Sequence, residues 1–375
     1  MKLRYIFISL LIFSCTGKKV HEKHVTSNQF ARGFHIETFD EISRVDVFNP
    51  WEKASGHSYS YWLVPKNKSI PDSLINERII RTPVERVICL STTHIGFLQK
   101  LELEDRIVGV SGKQYVSNEK VKVNIEAGKV QDVGYDQNLN YELILNLKPD
   151  LVMAYGVDSE VASYLSKLKD LNIPVAINAE YLEETPLGRA EWLNFVASFF
   201  SRQEDAERIF AETVEAYQQL KKKALSVEKK PVVITGIPYK ENWWVPGGRS
   251  YMANLIADAG GHYLWGENDQ RESYVLSPEN VISQSAAADI WINCGYSESL
   301  KSIIALDERF KIIRPLREKM VFNDNKRLLP NGGNDVWETG VANPEIILND
   351  LIRIFHPGLL GDEASPLYYY QKLPE

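Results

Sequence analysis

Residues 86–101 read Arg86-Val87-Ile88-Cys89-Leu90-Ser91-Thr92-Thr93-His94-Ile95-Gly96-Phe97-Leu98-Gln99-Lys100-Leu101. A short apolar run ends in three hydroxyl residues and passes directly into an amphipathic stretch over 95–101. Hydroxyls at such a junction satisfy the free N–H groups of a helix start, so the segment predicts a strand, a polar turn and a capped helix. Working outward, 107–110 is a second strand. Residues 141–147 have helical spacing until Lys148-Pro149-Asp150 breaks it, and 151–154 begins another strand. A helix over 161–171 and a strand over 174–177 follow. Strands alternating with helices predict a parallel sheet covered on both faces.

From Thr185-Pro186 the pattern changes. Pro186 suits the first turn of a helix running to about 200, and Ser201-x-x-Glu204 has the spacing of a capping box that would start a longer helix to about 225. At 1.5 Å per residue that helix reaches roughly 30–35 Å, about one domain diameter, and can brace two lobes. A second alternating set then follows: strands at 232–236 and 290–294, and helices at 251–260, near Val281, at 300–310 and at 344–355. The expected fold class is therefore α/β: two Rossmann-like lobes with parallel sheets, joined by a long rigid helix. Short β-leaning stretches over 36–65 predict a small N-terminal antiparallel β extension.

The composition is that of a soluble globular chain. Of 375 residues, 44% are apolar and 25% charged, and 43 Lys and Arg against 50 Asp and Glu leave a net charge of −7. With no sustained basic cluster, nucleic acid is excluded as an expected partner. The N-terminus, MKLRYIFISLLIFSCTGKK, pairs a basic start (Lys2, Arg4) with an apolar stretch shorter than the about 20 residues a membrane span needs, which describes an export signal. Ile12-Phe13-Ser14-Cys15 resembles a bacterial lipobox, although Phe13 is bulkier than usual there, and marks Cys15 as the lipidation site. The expected organisation is a signal with lipidation site at 1–15, a tether at 16–35, an N-terminal lobe with its β extension at 36–185, connecting helices at 186–228 and a C-terminal lobe at 229–375. Cys89 and Cys294 fall in apolar runs and read as buried strand residues, with a disulfide between them left open.

Three stretches of the first half resemble one known family: 86–93, 101–110 and 140–152 with its Leu147-Lys148-Pro149-Asp150 turn. In the second half Pro246-Gly247-Gly248-Arg249-Ser250-Tyr251, 255–261 and Leu276-Ser277-Pro278-Glu279-Asn280-Val281 follow in matching order. The family is that of the substrate-binding proteins of ABC importers for iron chelates and vitamin B12, and the similarity covers roughly 83–355. The resemblance implies an exported, non-enzymatic clamp that captures an iron(III) chelate, either a siderophore or haem, between two lobes. It implies delivery to permease subunits, periplasmic localisation with a lipid anchor in a bacterial membrane, and a monomer. Cobalamin is the nearest alternative cargo. It also implies docking on transporter arginines through one glutamate per lobe, here Glu142 and Glu279. A carboxylate pairs bidentately with arginine, so two separated pairs orient a clamp. Both glutamates equally suit the first turn of a helix, where the macrodipole favours them.

Ligands of open α/β sheets bind outside the carboxyl ends of the strands. This places the candidate cargo residues at His94, Tyr155, Trp243, Trp244, Arg249, Tyr251 and Tyr296, with the 331–335 loop able to close over them. Aromatic rings offer flat contact area to a conjugated chelate and Arg249 offers charge, while packing and loop anchoring are the competing roles for the same side chains. For His94 three roles stay open: helix cap, hydrogen-bonding residue or haem ligand. No resident cofactor and no bound-metal site are expected, since no paired-His motif is present. There is also no Gly-x-Ser-x-Gly elbow, His-Glu-x-x-His or Walker loop. A surface lipoprotein that binds or cleaves glycans, with two carboxylates among 50 acidic residues, is the alternative from another class.

Overall fold

The computed structural model describes residues 23–26, 28–135, 138–156, 161–361 and 366–375. Cys15 and the rest of the expected signal lie outside them.

Three five-stranded sheets and one small one make up the β-structure. The first comes from the N-terminal segment: β1 (Lys23–Thr26), β2 (Phe34–Phe39), β3 (Ile42–Phe48), β4 (Ser58–Pro65) and β5 (Ile79–Thr82), in that order. The first four are antiparallel neighbours and β5 joins β4 in parallel. The extension is thus larger than the sequence predicts, and part of the expected tether at 16–35 is strand. The reason is pairing: β1 sits against β2, Lys23 opposite Phe39, in an order no local pattern announces.

The second sheet has the order β10-β9-β6-β7-β8 and is parallel throughout. Its strands are β6 (Val87–Cys89), β7 (Ile107–Val110), β8 (Gln131–Asp132), β9 (Leu151–Ala154) and β10 (Val175–Ile177). Its helices are α1 (Thr92–Lys100), α2 (Glu119–Glu126), α3 (Tyr141–Leu147) and α4 (Val161–Asp170). Every residue of β6, β7 and β9 is buried, as expected of strands covered on both faces. The Ser91 hydroxyl accepts from the Thr93 N–H at the start of α1, so the predicted cap forms.

Helices α5 (Pro186–Phe199) and α6 (Gln203–Leu225) leave this lobe. The Thr185 hydroxyl caps α5 by accepting from the Gly188 N–H at 3.0 Å. The expected capping box at α6 does not form. Ser201 has φ +55° and Arg202 occupies the cap position without a side-chain bond, because the chain turns sharply out of α5 through a left-handed residue.

The third sheet, β14-β11-β16-β17-β18, is parallel apart from the last strand. It combines β11 (Val232–Thr235), β14 (His262–Tyr263), β16 (Ile290–Ile292), β17 (Val321–Asn323) and β18 (Gln371–Lys372). Beside it β12 (Pro238–Tyr239), β13 (Asn242–Val245) and β15 (Tyr274–Leu276) form an antiparallel ribbon. Helices α7 (Tyr251–Asp258), α8 (Pro278–Gln284), α9 (Leu300–Leu306), α10 (Arg314–Arg317), α11 (Asp335–Glu338) and α12 (Pro344–Phe355) complete the lobe. The helix expected over 300–310 is two pieces, since Asp307 is extended and caps a following 3₁₀ turn by accepting from the Arg309 N–H at 2.9 Å.

The two lobes approach closely where α1 meets α11. A Cβ on Gly96 of α1 would lie 1.8 Å from the Glu338 carbonyl oxygen of α11, so only glycine permits the approach. Cys89 and Cys294 are both free and buried, one in each lobe's core, which closes the disulfide question.

Candidate functional site

A cleft of about 1340 Å³ opens between the lobes. From the C-terminal lobe it takes the carboxyl ends of three parallel strands: Thr235 and Gly236 at the end of β11, Asn293, Gly295 and Tyr296 after β16, and Asp324 and Asn325 after β17. These strands end together because they are parallel and in register, which turns their following loops to one edge. Trp244 of the ribbon, Tyr251 and Met252 of α7, and Trp337 of α11 add apolar area. The opposing side comes from residues 181–185 and Arg189, at the exit from the N-terminal lobe, and from residues 28–33 and 48–55 of the N-terminal sheet.

Trp243 and Trp244 separate by simple alternation. On β13 Trp243 is fully buried, stacked on Trp291 with centroids 5.5 Å apart, and its Nε1 donates to the Thr235 carbonyl at 3.2 Å. Trp244, one residue on, faces the cleft and is 51% exposed. Tyr296 stands at the rim, 84% exposed, and Tyr251 lines the floor. Of the expected cargo residues, Trp244, Tyr251 and Tyr296 are therefore brought together. Trp243 is not, and becomes core.

His94 also leaves the set. It is fully buried in α1, its ring 6.5 Å from that of Tyr155, and neither ring nitrogen has a partner among the described residues. Burial alone lowers its pKa to about 3, so the imidazole is neutral and packs as a ring. Tyr155 packs onto the N-terminal core and does not line the cleft. Arg249 is turned aside: its Nη2 donates to Glu184 Oε2 at 3.1 Å, and the same carboxylate accepts from Arg271 Nε at 2.6 Å. Its charge is spent on holding α7's leading loop to the inter-lobe segment.

Several cleft residues escape sequence reasoning. Arg189 is the clearest: its guanidinium lies 4.0 Å from the Tyr251 ring centre, and its Nη2 donates to the Tyr181 carbonyl at 2.8 Å. Burial lowers its pKa, with Tyr251, Glu180 and Glu183 acting in the opposite direction. Nothing in Pro186-Leu187-Gly188-Arg189 marks the arginine as inward. Asp324 is only 8% exposed and burial pushes its carboxyl up to about 6. Its signal was available, since an apolar pair followed by Asn323-Asp324-Asn325 is how a strand end reads. Beneath the cleft a smaller cavity of about 190 Å³ is lined by Thr93, Glu180, Arg189, Tyr251 and Asp324, among others. Glu180 is buried there, its pKa raised chiefly by desolvation. Among the described residues no group of three or more His, Cys, Asp or Glu side chains is placed to hold a metal ion.

Glu142 and Glu279 do not line either cavity; each is exposed in the first turn of its helix, α3 and α8. Asn140 and Ser277 cap these helices through their side chains. Glu279 accepts from Arg309 Nη1 at 2.7 Å, and that bond lowers its pKa.

The family model described as "Periplasmic binding protein" matches residues 87–327. An uncharacterized lipoprotein of Methanocaldococcus jannaschii is 25% identical over 373 residues, covering 91% of this chain and 85% of the relative. The vitamin B12-binding protein of Vibrio parahaemolyticus is 31% identical over 189 residues, 47% of this chain and 64% of its own. Among solved structures, a possible iron-binding (periplasmic solute-binding) protein from Staphylococcus epidermidis superposes with a TM-score of 0.57 at 20% identity. The match covers 73% of this chain and 99% of that one. The N-terminal sheet, residues 23–82, precedes the region that the family model matches.

Proposed function

The chain belongs to the periplasmic binding protein family, and from that premise we propose that it captures an iron(III) chelate, a siderophore or haem, and delivers it to an ABC permease. The observation that carries this reading is the cleft itself. At about 1340 Å³ it exceeds the roughly 300–1,000 Å³ of ordinary small-molecule pockets. It presents the exposed rings of Trp244, Tyr296 and Trp337, a surface suited to a large conjugated ligand rather than a bare ion. Cobalamin is the second reading, favoured by the vitamin B12-binding relative. The protein's part is capture and hand-over; the family is a solute-binding class and turnover belongs to its partner.

Export follows from the same premise, with Cys15 as the residue that carries the lipid and the periplasm as the compartment. The lipoprotein among the relatives supports this. The proposed docking carboxylates are Glu142 and Glu279, one on each lobe and both exposed.

Titrating the mature protein with haemin, a ferric siderophore panel, cobalamin and a glycan panel, read by tryptophan fluorescence and thermal shift, tests the reading. A ligand that binds only the folded state raises the apparent stability by about 2.7 kcal/mol at a hundredfold excess over Kd. Saturable binding of one iron chelate is the expected result. Selective cobalamin binding moves the assignment to the second reading, and binding of glycans alone overturns both.

A further inference from the structure

One wall of the cleft comes from outside both lobes' parallel sheets. Two segments of the N-terminal sheet reach it: residues 28–33, ahead of β2, and residues 48–55, the turn between β3 and β4. The first is held with unusual force. Glu191 of α5 accepts from the backbone N–H groups of Gln29, Phe30 and Ala31 at 2.7, 2.7 and 2.6 Å. Glu183 accepts from those of Arg32 and Gly33 at 2.9 and 2.8 Å. Five charge-assisted bonds thus tie the loop to the segment linking the lobes, and Glu183 takes a sixth from Trp192 Nε1 at 3.1 Å. Gly33 is required for this approach, as a Cβ there would lie 2.8 Å from the Trp192 ring. The second segment is anchored by Trp51, only 8% exposed, whose ring meets His57 and Tyr59 at 5.7 and 6.1 Å.

We propose that the N-terminal sheet is a third wall of the cargo site, and that Arg32 and Lys53 on it receive the anionic groups of the cargo. The inference rests on the function proposed above and deepens it. Both side chains are exposed, both line the cleft, and neither has an ion-pair partner among the described residues. The cleft's other arginines are engaged, Arg271 with Glu184 and Arg189 with Tyr181 and Tyr251. Glu52 on the same turn is exposed too, so the wall admits a cation–anion alternation rather than a uniform charge. Aromatic rings from the C-terminal lobe and free cations from the N-terminal wall together suit a flat or aryl chelate bearing carboxylates or catecholates. Haem with its propionates and a ferric tris-catecholate are of this class, and cobalamin, without carboxylates, is not.

The test uses the mature chain and two sets of substitutions. In the first, Arg32→Gln with Lys53→Gln removes both charges from exposed positions and is checked for an unchanged melting temperature. In the second, Ser55→Cys carries an environment-sensitive fluorophore on the turn; Cys89 and Cys294 are buried and do not compete for label. The expected result is a fluorescence change at the labelled turn on adding haemin or ferric tris-catecholate, and binding of that probe weakened at least about tenfold in the double variant. If the parent binds an anionic chelate while the label is silent and the double variant binds equally well, the third wall is refuted and the function above stands. A responsive label with unchanged affinity overturns the role of Arg32 and Lys53, and so does a parent that binds cobalamin alone. A parent that binds nothing in the panel removes the function above and this inference with it.

Discussion

Two buried carboxyls, Asp324 and Glu338, hold protons more tightly than exposed acids do. Burial pushes Asp324 up to about 6, and Glu338 up to about 7 even though Glu338 accepts from the Ser117 and Asn118 N–H groups at 2.7 Å each. A folded-state pKa above the unfolded one means the fold prefers the neutral acid. For Asp324 the stabilisation is complete below its ordinary value of 3.8 and is lost as pH rises through about 6. Asp324→Asn keeps the neutral shape at every pH. Urea unfolding of the unliganded proteins should show the variant gaining on the parent between about pH 4 and 7, by up to about 3 kcal/mol at 1.36 kcal/mol per pH unit. Parallel pH profiles of parent and variant would count against an ionisable Asp324 in a buried site. The same scale shows how much of the site was legible. Tyr251 and Tyr296 were legible, because a helix start and a strand end can be read from local pattern. In the Trp243-Trp244 pair, however, either ring could face inward, and the choice is made by pairing, with Trp243 set opposite Leu276 on β15.

Among the elements, α5 does the most joining. Nearly all of its residues are buried, and its Glu191 holds residues 29–31 of a segment some 160 positions away in sequence. Glu191→Gln preserves size but offers one acceptor oxygen and adds an N–H donor facing three others. The expected outcome is a loss of about 2–3 kcal/mol, with hydrogen exchange of the amides at 29–31 accelerated relative to the core of β6 and β9. Exchange that accelerates evenly across the chain would mean that Glu191 serves general stability and not this loop. The element boundaries themselves were mostly readable: 107–110, 141–147, 151–154 and 344–355 are each the element their periodicity announces. What was not readable is β1, the ribbon β12-β13-β15 and the short strand β18. Such strands carry too few residues for a period to emerge and depend on neighbours for their hydrogen bonds.

For the whole molecule, the proposed hand-over requires two independent functions on one body, a cleft that holds cargo and an outer surface that meets a permease. Glu142 and Glu279 are on exposed first turns away from the cleft lining, so they should be separable from cargo binding. Glu142→Arg combined with Glu279→Arg should leave the cargo Kd within about twofold while lowering permease association at least about tenfold, since like charges would then face the transporter arginines. Equal association of parent and variant in detergent-solubilised or nanodisc permease would remove these residues from docking. Glu279 already shares Arg309, so its single change should also release that arginine and give the smaller effect.

By itself the sequence determined two α/β lobes, their order along the chain, the linking helices and the family, because each rests on periodicity, capping residues and short motifs that are local in the chain. Tertiary structure alone decided which polar side chains face the cleft. Burial of Arg189, Glu180 and Asp324, withdrawal of His94 and Trp243 into the core, and recruitment of residues 28–33 and 48–55 to the cleft wall all depend on contacts between segments distant in sequence. The free energy of a buried charge is set by what surrounds it, and in a linear sequence those surroundings are not yet present.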